Sequence, residues 1–235
     1  MKKKLYFVFF CLIQIFGPVT ILSAQSRWGR TIEGANNTPL VRQTTDNGFI
    51  VGTTSGTFGL QNAWLVKLNS TGAIQWQKAY GNGGTCSTAH ALQQTTDNGF
   101  VFAGHLDTAC PSEANFWVVK VDSTGAIQWQ KSYGGTSTEV AYAITQTSDQ
   151  GYLVGGSTSS FGAFPGDYHI WLLKLDSNGN IQWQKAIGGN EDEEAKSVQQ
   201  TSDGGYIVTG FTVSFGVGDE DFFVLKLDSS GNVVW

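Results

Sequence analysis

Charge is scarce in this chain. Asp, Glu, Lys and Arg together make up 14% of its 235 residues, and the balance is a net charge of −5. Such a composition offers no basic stripe for a phosphate backbone to follow, so no nucleic-acid partner is expected. Proline is scarcer still, at 4 residues, and the 30 glycines carry no Gly-X-Y period, which excludes a collagen-like or proline-rich disordered chain. Histidine occurs only three times, as His90, His105 and His169, at unrelated places in the sequence. No nucleophile–base arrangement, carboxylate dyad or phosphate-cradling glycine loop can be recognised, so no catalytic residue is assigned and a non-enzymatic protein is expected. What is present in quantity is apolar: 40% hydrophobic and 13% aromatic residues, which argues against disorder.

Long apolar runs are also missing, with one exception. Leu5 to Phe16 is apolar, follows Lys2, Lys3 and Lys4, is broken at Gly17-Pro18 and ends near Ser23-Ala24. Charged, apolar, then small is the order of a secretory signal peptide, so residues 1–24 are expected to be removed on export to the periplasm, cell surface or medium. The competing reading, a membrane anchor from Leu5 to Leu22, is barely long enough and carries Gln14 and the Gly-Pro break. Losing the three lysines takes the net charge from −5 to −8. It also removes Cys11, leaving Cys86 and Cys110 as an even pair in an oxidising compartment, where a disulfide is expected.

The rest of the chain is a repeat. The segment NAWLVKLNSTGAIQWQKAYG at Asn62 returns at Asn115, at His169 and, shortened, at Asp221. Between these copies stand QTTDNGFIVG, QTTDNGFVFAG, QTSDQGYLVGG and QTSDGGYIVTG, whose leading Gln43, Gln94, Gln146 and Gln200 are 51, 52 and 54 residues apart. Each unit holds four short strand candidates joined by Asp-x-Gly and Ser-x-Gly turns, where glycine accepts positive φ. The second strand is apolar on both faces, as an interior strand packed from both sides must be; the fourth alternates, with Ile127 and Trp129 on one face and Gln128 and Gln130 on the other. One such unit cannot bury its own faces, so units must stack.

A four-stranded unit of this length predicts an all-β, β-propeller-type array of four-stranded antiparallel blades, with four repeats over residues 25–235. The units fall at about 35–83, 84–135, 136–189 and 190–235; an open stack of hairpins is the alternative. The eight Trp fall at two repeat positions and are expected to pack blade on blade. Seven lysines (Lys67, Lys78, Lys120, Lys131, Lys174, Lys185, Lys226) also recur with the unit, and are expected to pair or lie along strands. Strand-four motifs number five, counting RWGRTIEG at Trp28, which predicts an incomplete ring cut at the C-terminus; a closed four-bladed ring is the alternative.

These motifs resemble those of secreted bacterial β-propeller repeat proteins, whose blades read Gln-Thr-x-Asp-Gly-Gly-Tyr, Lys-Leu-Asp-x-x-Gly-x-x-x-Trp and Lys-x-x-Gly-Gly. The resemblance runs from Trp28 to Trp235. It implies the propeller fold, export and, in many members, a C-terminal sorting domain for type IX secretion, without an assigned activity. Asp-Ser-Thr-Gly-x-x-x-Trp is also similar to the tryptophan-docking motif of quinoprotein propellers, one residue short between Asp and Gly. No quinone-site residues accompany it, so no cofactor is carried over.

Function is expected on the end of the array that carries the long, variable loops. Three features there stand outside the repeat. One is the Cys86/Cys110 pair. The second is scattered loop aromatics such as Phe164 and Tyr168, which could contact a glycan or protein or pack down on the loop. The third is acidic: Glu191, Asp192, Glu193 and Glu194 in one loop, and Asp219, Glu220 and Asp221 in another. Hard oxygen ligands outside the cell suit calcium, although a run of acids is also how a plain solvated loop reads. The expected role is an exported scaffold that binds a protein or glycan ligand. The alternatives are a polysaccharide-acting hydrolase or lyase using acids such as Glu193 and Asp219, or a structural adhesin repeat.

Overall fold

The computed structural model describes residues 35–55, 62–81, 86–107, 113–162 and 166–235. The leader, Trp28, Cys110 and Phe164 lie outside them. The first blade is β1 (Ala35–Gln43), β2 (Phe49–Ser55), β3 (Asn62–Leu68) and β4 (Ile74–Tyr80). The second is β5 (Ser87–Gln94), β6 (Phe100–Asp107), β7 (Ala114–Val121) and β8 (Ile127–Tyr133). The third is β9 (Glu139–Gln146), β10 (Tyr152–Thr158), β11 (His169–Leu175) and β12 (Ile181–Ile187). The fourth is β13 (Glu193–Gln200), β14 (Tyr206–Thr212) and β15 (Asp221–Leu227), with a lone Leu227–Val233 bridge where the fourth strand stands in the others. Each blade is an antiparallel meander in chain order, and β1, β5, β9 and β13 meet in succession at the inner edge. The chain is thus an all-β, propeller-type array.

Its core lies between blades. Phe100 and Phe102 pack with Ile50, Leu65 and Tyr80 of the first blade, while Val101 and Ala103 of the same strand pack with Val154 and Leu173 of the third. That is why the second strand is apolar on both faces. The outer-strand tryptophans complete the contact. Trp76, Trp129 and Trp183 lie with ring centres 5.9, 5.7 and 5.8 Å from Phe100, Tyr152 and Tyr206 of the following blade. The indole N–H groups of Trp76 and Trp129 donate to the Ser123 and Ser177 carbonyls, each at 3.0 Å.

The recurring lysines pin the first turn to the third strand. Lys67, Lys120, Lys174 and Lys226 reach Asp46, Asp97, Asp149 and Asp203 at 2.8, 2.7, 2.8 and 2.9 Å. The Lys67 ammonium, with the Thr44 hydroxyl and the Gly48 N–H, holds the Asp46 carboxyl well below the usual range. A bulge in each outer strand turns Gln75, Gln128 and Gln182 onto these lysines as acceptors. The bulge at Gln128 breaks the alternation expected for β8: Ile127 faces Val121 and Trp129 faces Lys120, so the two fall on opposite faces.

Turn glycine has two reasons, not one. In the Ser-x-Gly turns Gly72, Gly125, Gly179 and Gly231 have φ of 78°, 77°, 74° and 77°. In the Asp-x-Gly turns the positive φ falls on the middle residue instead, Asn47, Asn98 and Gln150 at 61°, 63° and 65°. There the final glycine answers a close approach: a Cβ on Gly99 would lie 2.4 Å from the Val121 carbonyl oxygen.

Candidate active site

The inner strands place a distinct set of residues at the centre of the array. In β5, β9 and β13 one residue is inserted relative to the neighbouring strand, and the inserted residues are His90, Tyr142 and Lys196. A bulge re-aims the extra side chain. Opposite each stands a glycine (Gly104, Gly156, Gly210) whose missing Cβ admits the bulged backbone. His90, Tyr142 and Lys196, together with Arg42 of β1, line one cavity of about 290 Å³ to which all four inner strands contribute.

The side chains around this cavity interact. The Lys196 ammonium sits 3.6 Å from the centre of the Tyr142 ring and pairs with Glu194, whose charge also bears on the Tyr142 phenol. Burial, reinforced by the Glu194 charge, pushes the Tyr142 phenol up to about 12. On the other side the His90 ring lies 5.5 Å from the Tyr142 ring, and His90 Nε2 is 3.1 Å from His105 Nδ1. His105 Nε2 in turn is 3.8 Å from Asp107 Oδ1. Burial raises the Asp107 carboxyl, against the opposing pull of His105. Burial first, then the charges of His105 and Lys196, lower His90 to about 4.

His90 makes stability pH-dependent. Unfolded, it titrates near 6.5; folded, it refuses the proton until about 4. The stability present above pH 6.5 is therefore lost as pH falls towards 4, on the order of 3 kcal/mol in all. Urea unfolding across that window should show the slope, and His90→Gln should flatten it; an unchanged slope would refute the assignment.

The acids singled out from sequence do not form one cluster. Glu193 and Glu194 are strand residues rather than loop residues. Glu193 is buried: it accepts from the Thr212 hydroxyl at 3.0 Å and the Gly189 N–H at 2.9 Å, and lies 3.5 Å from His169 Nδ1 of the preceding blade. Glu139 does the same with Thr158 and Gly135, so this carboxylate is a recurring inter-blade tie. Asp192 accepts from the Tyr168 N–H and Asp221 from the Val217 N–H, while Glu191, Asp219 and Glu220 face solvent. Glu194 pairs with Lys196, which lines the axial cavity. Among the described residues no three His, Cys, Asp or Glu side chains converge as metal ligands.

Cys86, just before β5, is disulfide-bonded. We propose Cys110, outside the described residues, as its partner. Peptide mapping without reductant should recover a Cys86–Cys110 cross-link; two free thiols would refute it.

No protein-family model matches the chain, and no curated protein matches its sequence. Solved structures do share the fold. One is a putative exo-β-1,3-galactanase from Bifidobacterium bifidum, 11% identical, TM-score 0.52, over 84% of this chain and 70% of that one. Another is an exo-β-1,3-galactanase from Phanerochaete chrysosporium with galactose, 15% identical, TM-score 0.50, over 83% of this chain and 47% of that one. The chain spans about half the length of the latter. These neighbours correct the expectation of a non-enzymatic protein: both are described as glycan-cleaving enzymes, so the propeller gives no ground for a scaffold without chemistry.

Proposed function

We propose that this chain is a glycan-acting β-propeller module that hydrolyses a glycosidic bond in its axial cavity. The observation that carries the reading is the Tyr142–Lys196–Glu194 arrangement: a hydroxyl-bearing ring on the cavity wall, a cation 3.6 Å from its centre, and a carboxylate held by that cation. That is the arrangement of an activated nucleophile. Glu194 takes the phenolic proton as the Tyr142 oxygen bonds to the anomeric carbon, and the bond from that carbon to the leaving oxygen breaks. The leaving oxygen takes its proton from the His90 wall of the cavity, behind which His105 and Asp107 stand in series. A carboxyl raised by burial suits the acid of such a pair. Water then displaces the Tyr142 oxygen, returning one proton to that wall, while Glu194 hands its proton back to the phenolate.

Two displacements at one carbon retain its configuration. The galactanase activity of the structural neighbours supports the reaction class, and export, proposed from the leader at residues 1–24, brings the module to polysaccharide. Incubation with β-1,3-galactan and a panel of other polysaccharides should release sugar with retained anomeric configuration, read by NMR of the first products. Failure to cleave any member of the panel would overturn the hydrolase, and inverted products would overturn the role of Tyr142.

A further inference from the structure

The cavity has a charge bias that the repeat does not explain. Of the nine basic residues in the described chain, seven are repeat lysines. Four of those are bonded to turn aspartates, and Lys131 and Lys185 reach Asn180 and Asn232. The remaining two, Arg42 and Lys196, stand off the repeat positions, and both line the axial cavity. Lys196 is matched by Glu194. Arg42 is not matched: it is exposed, donates once to the Val41 carbonyl at 2.8 Å, and has no carboxylate partner among the described residues. Its guanidinium keeps a fork of N–H donors whose geometry fits two oxygens of one oxyanion, a carboxylate or a sulfate. The surrounding protein is acidic, at a net −5, so a cation here is a local exception. Charges beyond about 8–10 Å are largely screened at physiological salt, so the side chains in the cavity decide which ligand charge is favoured.

We infer that the axial cavity selects an anionic sugar, a hexuronate or a sulfated hexose, with Arg42 binding its oxyanion. This rests on the hydrolytic reading above for its substrate, but not for its binding. The test compares a nitrophenyl hexoside with the hexuronoside and the 6-sulfated hexoside of the same stereochemistry. Wild type should favour one of the anionic substrates, and the ratio of its kcat/KM to that of the neutral one should fall about tenfold to a hundredfold in Arg42→Gln, as loss of a charged hydrogen bond does. Arg42→Lys should recover part of the ratio. Whichever anion shows the effect identifies carboxylate or sulfate. Equal turnover of all three substrates, unchanged in Arg42→Gln, overturns the inference and leaves the hydrolase standing. If nothing is turned over, calorimetry of trigalacturonate and of the sulfated hexoside with wild type and Arg42→Gln decides. Salt-sensitive binding lost in the variant supports an anion site without hydrolysis, and no binding of either overturns it.

Discussion

Tyr142→Phe should abolish glycan cleavage, by a factor of about 1,000 or more, while the array stays folded. A nucleophile is removed outright, and a group that acts as one unit with its base is lost almost entirely when either member goes. Glu194→Gln should cost about 100- to 10,000-fold, the range over which a positioned base contributes. The amide keeps the size of the carboxylate but cannot take the phenolic proton. It also unpairs Lys196, whose side chain is 44% exposed and regains water at small cost. Both side chains meet neighbouring blades at the axis, Tyr142 against His90 and Lys196, but Phe keeps the ring and Gln the side-chain size, so unfolding midpoints should move little. Glu193→Gln is the contrast. It weakens the buried tie to Thr212 and Gly189, and stability should fall before activity does. If Tyr142→Phe retained turnover, the nucleophile would have to be water, and the phenol would only position the sugar.

Much of the frame was legible in the residue order. Repetition of Gln-Thr-x-Asp and Lys-Leu-Asp blocks fixes four antiparallel units, because hairpin turns, buried lysines and outer-strand tryptophans are local features repeated at constant spacing. The site was less legible. Reading for what departs from the repeat drew attention to Glu191–Glu194 and Asp219–Asp221, where the acids are dense in sequence. Density in sequence is a weak guide when the chain returns to one axis every 51 to 54 residues. His90, Tyr142 and Lys196 are scattered along the chain and of three different types, yet they occupy one structural position in three blades. A signal for them was present: a glycine inside the second strand of each unit (Gly104, Gly156, Gly210) opposite Ala-His-Ala, Ala-Tyr-Ala and Ala-Lys-Ser. Glycine inside a strand marks a bulge or a close backbone approach. What no linear reading supplies is that Lys196 brings Glu194 and Tyr142, from neighbouring blades, to one place.

Gly156→Ala tests that device directly, and should destabilise the chain by about 3 kcal/mol or more, at or above the usual cost of an overpacked core site. A Cβ at this position would sit 2.0 Å from the Val140 carbonyl oxygen and 2.8 Å from both Ala141 Cα and Phe116 Cζ. The nearest of these is backbone, which cannot swing aside as a side chain does. Gly155→Ala is the control, because its nearest neighbours are the Val198 and Leu172 methyls at 2.6 and 3.3 Å, which repack at lower cost. Relief at Gly156 requires β9 to move away from β10, and a strand that slips by one residue turns every side chain to the other face. Tyr142 would then leave the axis, so turnover should fall together with stability in Gly156→Ala and not in Gly155→Ala. The first blade already shows the consequence of a side chain here. Thr53 occupies the position of Gly156, and the pairing of β1 with β2 is interrupted from Asn36 to Leu40, a wider break than the single inserted residue of the other blades. Pro39 stands in that gap, where a residue without an N–H leaves no ladder bond unmade. Urea unfolding of the two alanine variants, read beside their activity, would separate bulge from packing: equal losses in both would mean that the glycines only save space.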